Sequence, residues 1–124
     1  MLKESEIRCG NYFTHNENWN SFGHKGLFKW TSYEWYLLGE CRIDLEDVSP
    51  VLLSEDILLK SGFLKKNNGI ETHLWFGRFY WCSSYPTNIY IEYYSGEIEV
   101  ECKYLHQLQN LYLAVTNEEL EINI

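Results

Sequence analysis

The stretch from Lys103 to Val115, KYLHQLQNLYLAV, constrains the fold more than any other part of the chain. Tyr104, Leu108, Leu111 and Val115 recur at the i, i+4, i+7, i+11 spacing of a buried helical stripe, and Leu105 and Tyr112 widen it. His106, Gln109 and Asn110 fall on the other side of the wheel, with Gln107 at the border. Asn117, just past the end, is a residue that tolerates the left-handed conformation that stops a helix. No other segment joins this length to this clarity of period. The spacing therefore predicts a helix on which a sheet packs.

The remaining chain reads mostly as strands. Tyr12 and Phe13 open a first strand that runs out near His15, and a polar loop, NENWNSFGHKG, follows from Asn16 to Gly26. Leu27 to Leu38 is rich in strand formers, with Phe28 and Trp30 alternating with Lys29 and Thr31. Cys41, Ile43 and Leu45 alternate with Arg42, Asp44 and Glu46 and predict a further strand. Pro50 closes that region. Ser54 is a good N-cap for a short helix, Glu55 and Asp56 suit its first turn, Leu53 and Leu58 form a staple, and Gly62 stops it after Lys60. Phe63 to Lys66 and Ile70 to Phe76, joined by Asn67-Asn68-Gly69, predict a hairpin. Gly77 reads as a bulge before a strand from Arg78 to Cys82. Asn88 to Tyr94 and Glu97 to Cys102 predict a second hairpin about Ser95-Gly96, with Glu97, Glu99 and Glu101 outward and Ile98, Val100 and Cys102 inward. Leu120, Ile122 and Ile124 predict a closing strand. The expected class is α+β: a mostly antiparallel sheet packed against two helices, with an SH3-like, partly barrelled closure as one form it could take.

Composition narrows the function. The 124 residues suffice for one domain with a core of its own, and an aromatic content of 17% suits a sheet with large side chains on both faces. Eighteen acidic against ten basic residues, a net charge of −8, argue against a general nucleic-acid surface, because that affinity rests on phosphate neutralisation by clustered Lys and Arg. No apolar run has the length of a signal peptide or a membrane span, so a soluble cytoplasmic protein without membrane contact is expected. Cys9, Cys41, Cys82 and Cys102 form no CxxC pair and read as reduced, small core residues; neither a metal nor a cofactor is expected. No nucleophile-and-base motif, paired-carboxylate motif or glycine-rich phosphate loop is present, and the expectation is a protein that is not an enzyme.

Three segments, IRCGNYF near the start, VSPVLLSEDILLKSGF in the middle and CKYLHQLQNLYLAVTNEELEI at the end, resemble a family of small proteins encoded by Bacteroidetes and by their phages and prophages. The likeness spans the whole chain, and HQLQNLY is its most specific part. The sequence departs from the family pattern at Asn117, where glycine is usual, and at Ile57, where tryptophan is usual. The resemblance implies company rather than chemistry: a phage-type accessory protein acting inside a bacterial cell.

Three classes of function remain open on the residues. The first, taken as the expectation, is sequestration of a small phosphorylated, nucleotide-type signal in order to blunt host defence. Its pocket would join Trp19, His24 and Lys25 of the 16–26 loop with Lys29 and the helix start at Lys103 and His106; Arg78 is a further cation for phosphate. Gln109 and Asn110 could read a base or sugar edge, although bonding the backbone of a segment laid across the helix is the preferred role for them. The second class is an acidic inhibitor of a host protein, using Glu92, Glu97, Glu99, Glu101, Glu118, Glu119 and Glu121 in place of DNA phosphates. The third is a virion or assembly component. Self-association is left open in all three. Converging aromatics and cations would mark the first class, and a continuous acidic face the second.

Overall fold

The computed structural model describes residues 2–15, 26–68 and 71–123. Strands β1 (Tyr12–His15), β2 (Leu27–Lys29) and β3 (Val48–Pro50) form one antiparallel sheet in the order β2-β1-β3. Strands β4 (Leu64–Asn68), β5 (Glu71–Phe76), β6 (Phe79–Cys82), β7 (Asn88–Tyr93) and β8 (Gly96–Glu101) form a second as an up-and-down meander. Helices α1 (Ser32–Gly39), α2 (Glu55–Lys60) and α3 (Leu105–Thr116) complete the α+β chain. Neither sheet closes into a barrel, and the α-helices among the described residues number three rather than two.

α3 sits between the two sheets. Leu105 and Leu108 are buried in a cluster with Leu74, Phe79, Trp81 and Ile89 of the larger sheet, and Tyr112 packs on Phe76 and Phe79. The opposite flank meets β1 and the segment before it. Beyond it a second core gathers Phe13, Phe28, Trp30, Leu37 and Val48. The buried stripe is therefore displaced from the predicted one: His106 and Gln109 are inside, and Val115 is 51% exposed. Asn117 stops the helix in the left-handed region at φ 61, its N–H donating to the Leu113 carbonyl at 2.8 Å.

Several expectations are corrected. Residues 32–39 are helix α1, not strand: Thr31 caps the helix, and Glu34 bonds back to the Thr31 N–H at 2.7 Å, so a capping box outweighs local strand propensity. The alternating stretch 41–46 is also not a strand. Cys41 takes a left-handed turn at φ 56 after α1, and Asp44 accepts from the Glu46 N–H at 3.0 Å to cap a short 3-10 turn. Gly77 is part of a tight turn between Phe76 and Phe79, which pair directly, rather than a bulge. The β7–β8 turn falls at Tyr94-Ser95, one residue earlier than predicted. Residues 117–123 form no strand; Leu120 is buried, and the Asn123 N–H donates to the Lys60 carbonyl at 2.7 Å. Cys82 and Cys102 are buried, whereas Cys9 and Cys41 are exposed.

The short helix α2 follows its sequence signals. Ser54 accepts from the Ile57 N–H at 3.3 Å, and Leu53 and Leu58 are buried together. Gly62 adopts φ +94, where a Cβ would come within 2.9 Å of the Phe76 ring. Both the conformation and the close ring demand glycine there.

Candidate functional site

Trp19, His24 and Lys25 lie outside the described residues. The remaining residues of the predicted pocket do not converge. Lys29 is exposed on β2 at an open cleft of about 750 Å3, whose walls include Cys9, Tyr12, Glu119 and Glu121. Arg78 stands at the β5–β6 turn, beside a different groove with Tyr112 and Val115. Lys103 is exposed before α3, its ammonium 5.5 Å from the centre of the Tyr104 ring, and lines neither.

The polar flank of α3 has a structural occupation. Gln109 is 1% exposed; its Oε1 accepts from the Tyr12 N–H at 3.0 Å and its Nε2 donates to the Gly10 carbonyl at 2.8 Å. Asn110 Oδ1 accepts from Arg8 Nε at 3.1 Å and from Asn11 Nδ2 at 2.9 Å, while its Nδ2 donates to the Glu6 carbonyl at 3.2 Å. Arg8 also pairs with Glu119. Two amides of the HQLQN string thus strap the N-terminal segment to the helix. This is the backbone-bonding role preferred from the sequence.

His106 is 2% exposed and packs on Phe13 and Tyr104, with ring centres 5.1 and 5.9 Å away. Neither ring nitrogen has a hydrogen-bond partner among the described residues. Burial lowers its pKa below 6.5, opposed by the charge of Glu6. The unfolded chain therefore takes a proton that the folded one resists. The stability held by neutral His106 is complete above about pH 6.5 and falls as the pH drops from there towards the lower folded pKa. His106→Phe should remove this slope and raise stability by about 1 kcal/mol, since a ring of similar shape replaces two buried orphan nitrogens. Urea denaturation at pH 5 to 7.5 checks it; a variant with the wild-type pH slope would contradict it.

The outer face of the five-stranded sheet offers the strongest constellation, and sequence reasoning missed its aromatic half. Strand register sets Leu64, Trp75, Tyr80, Tyr90 and Glu99 in one row across all five strands. Tyr80 and Tyr90 stack at 4.8 Å and 13°, and Trp75 lies 4.5 Å from Tyr80. His73 and Lys66 flank the row, the Lys66 ammonium 5.4 Å from the Trp75 ring centre. Glu92, Glu97, Glu99 and Glu101 share this face at its β7–β8 end, with Glu92 directly opposite Glu97. Tyr80 and Tyr90 donate to Glu97 and Glu99, and Asn88 to Glu99. Burial, reinforced by these carboxylates, raises the pKa of both phenols, so they remain donors. None of the four carboxylates pairs with a Lys or Arg among the described residues, and Leu64 at the other end is 70% exposed. Beneath the hairpin the inward row thins out: Ile98 is half exposed, because the core stops short of it.

The alternation of HLW, FYWC and NIYIEY carries this face in the sequence, but only the turn positions fix which aromatics become neighbours. Among the described residues no three His, Cys, Asp or Glu side chains cluster as metal ligands, and no helix is long and apolar enough to cross a membrane. No family model, curated protein or solved structure matches the chain.

Proposed function

We propose that the chain is a non-enzymatic protein-binding module, whose aromatic and acidic sheet face holds a basic segment of a partner. One observation carries this reading. Glu92 and Glu97 are held directly opposite one another, beside Glu99 and Glu101, with no cation paired to them among the described residues. Like charges facing each other across a strand pair weaken the sheet, and a basic partner relieves that cost. The stacked tyrosines beside them suit a guanidinium, which lies flat on an aromatic ring while its N–H groups reach a carboxylate. In the phage setting implied by the resemblance, the partner is a host protein. Sequestration of a phosphorylated signal ranks second. That reading needs cations converging on one pocket, and the described ones stand apart.

A fluorescent peptide of alternating arginines provides the test. Combining Glu97→Lys, Glu99→Lys and Glu101→Lys should weaken its binding at least about tenfold, or about 1.4 kcal/mol. Lys103→Glu should not weaken it, and wild-type binding should fall as salt rises. Unchanged affinity in the triple variant would defeat the proposal. So would failure of the peptide to bind while a nucleotide raises the melting temperature.

A further inference from the structure

A second site stands independently of the outer face. Phe76 and Phe79 bracket the β5–β6 turn, and both rings pack on Tyr112 of α3, with centres 5.6 and 5.4 Å away. These rings, with Val115, wall a groove of about 270 Å3 beside the last turn of the helix. Its mouth is open at Gly77, where a Cβ would meet nothing within 4 Å. Val115 leaves half its surface uncovered there. Arg78 lines the same groove, is exposed, and forms no hydrogen bond through its side chain and no ion pair with any described residue.

We infer that this groove binds a small flat aromatic acid, its ring against Phe76, Phe79 and Tyr112 and its single anionic group on Arg78. The volume lies just below the range of about 300–1,000 Å3 typical of ligand pockets and matches a single ring system. The charge limit has its own source. Phe76 and Tyr112 also wall an adjoining hollow lined by Glu118 and Glu121, neither of which pairs with a cation among the described residues. Those carboxylates oppose a second negative charge, which selects a mono-anion over a polyphosphate. The unpaired guanidinium gives the remaining anionic group a planar, two-pronged partner.

Indole-3-acetate and its uncharged amide, indole-3-acetamide, are suitable probes for calorimetric titration against the full chain. The acid should bind at least about tenfold more tightly than the amide. Arg78→Gln, at an exposed turn position, should bring the two to equal affinity, and Val115→Trp should abolish both by filling the groove. The thermal midpoint of each variant reports whether it folds. Equal binding of acid and amide to the wild type, no binding of either, or a preference that survives Arg78→Gln would each overturn the inference.

Discussion

Leu108→Ala should destabilise the chain by about 2–5 kcal/mol, a large share of the roughly 5–15 kcal/mol that holds a domain together. Leu108 is 0% exposed and belongs to the cluster that joins α2, α3 and the inner face of the five-stranded sheet. Truncation removes its apolar surface from that contact and leaves a cavity that neighbours on three elements can only partly fill. Val115→Ala is the comparison within the same helix. Because Val115 is half exposed, its loss should fall within about 0.5 kcal/mol of wild type. Urea unfolding of both variants with unchanged m-values checks the pair, and similar costs for the two would place the helix the wrong way round.

The second large effect belongs to a polar residue. Gln109→Leu keeps the approximate volume but leaves the Tyr12 N–H and the Gly10 carbonyl without the partners they have at 3.0 and 2.8 Å. A buried backbone group left unpaired costs about 1–3 kcal/mol; Gly10 and Tyr12 are half-buried, so the variant should lose about 1–3 kcal/mol in all. Exchange of the Tyr12 amide with solvent should also accelerate, because the amide of Gln109, which holds that N–H, is gone. Gln109→Glu should lie between, since it retains an acceptor for the Tyr12 N–H and loses the donor to Gly10. A Leu variant as stable as wild type, with Tyr12 still protected, would show that the strap contributes nothing.

Those two residues mark where the sequence was legible and where it was not. Leu108 follows from the helical period, and the Asn117 stop and the Ser54 cap from single residues. A β4–β5 hairpin follows from its flanking strand formers, although its turn lies later than the predicted Asn67-Asn68-Gly69, since Asn67 and Asn68 pair with Thr72 and Glu71. Each depends on residues close together in the chain. The burial of Gln109 and His106 depends on where a segment about a hundred positions away is laid, and a wheel treats that flank as solvent-facing. Helix α1 was hidden for a different reason. Trp30, Trp35 and Tyr36 favour strands, and the Thr31–Glu34 capping box that overrides them rests on only two side chains within that aromatic run. Of the candidate site, the acids of β8 were legible from strict alternation. Their alignment with Trp75, Tyr80 and Tyr90 required the register of four successive hairpins.

The most direct measurement of the central claim is a titration of the 15N-labelled chain with the alternating-arginine peptide, followed by amide and indole chemical shifts. The Trp75 indole N–H and the amides of Tyr80, Tyr90, Glu97 and Glu99 should move first and together, and the shifts should collapse at high salt. Perturbations confined to the Lys29 cleft or the Arg78 groove, or no perturbation at millimolar peptide, would contradict the assignment of the outer sheet face as the docking surface.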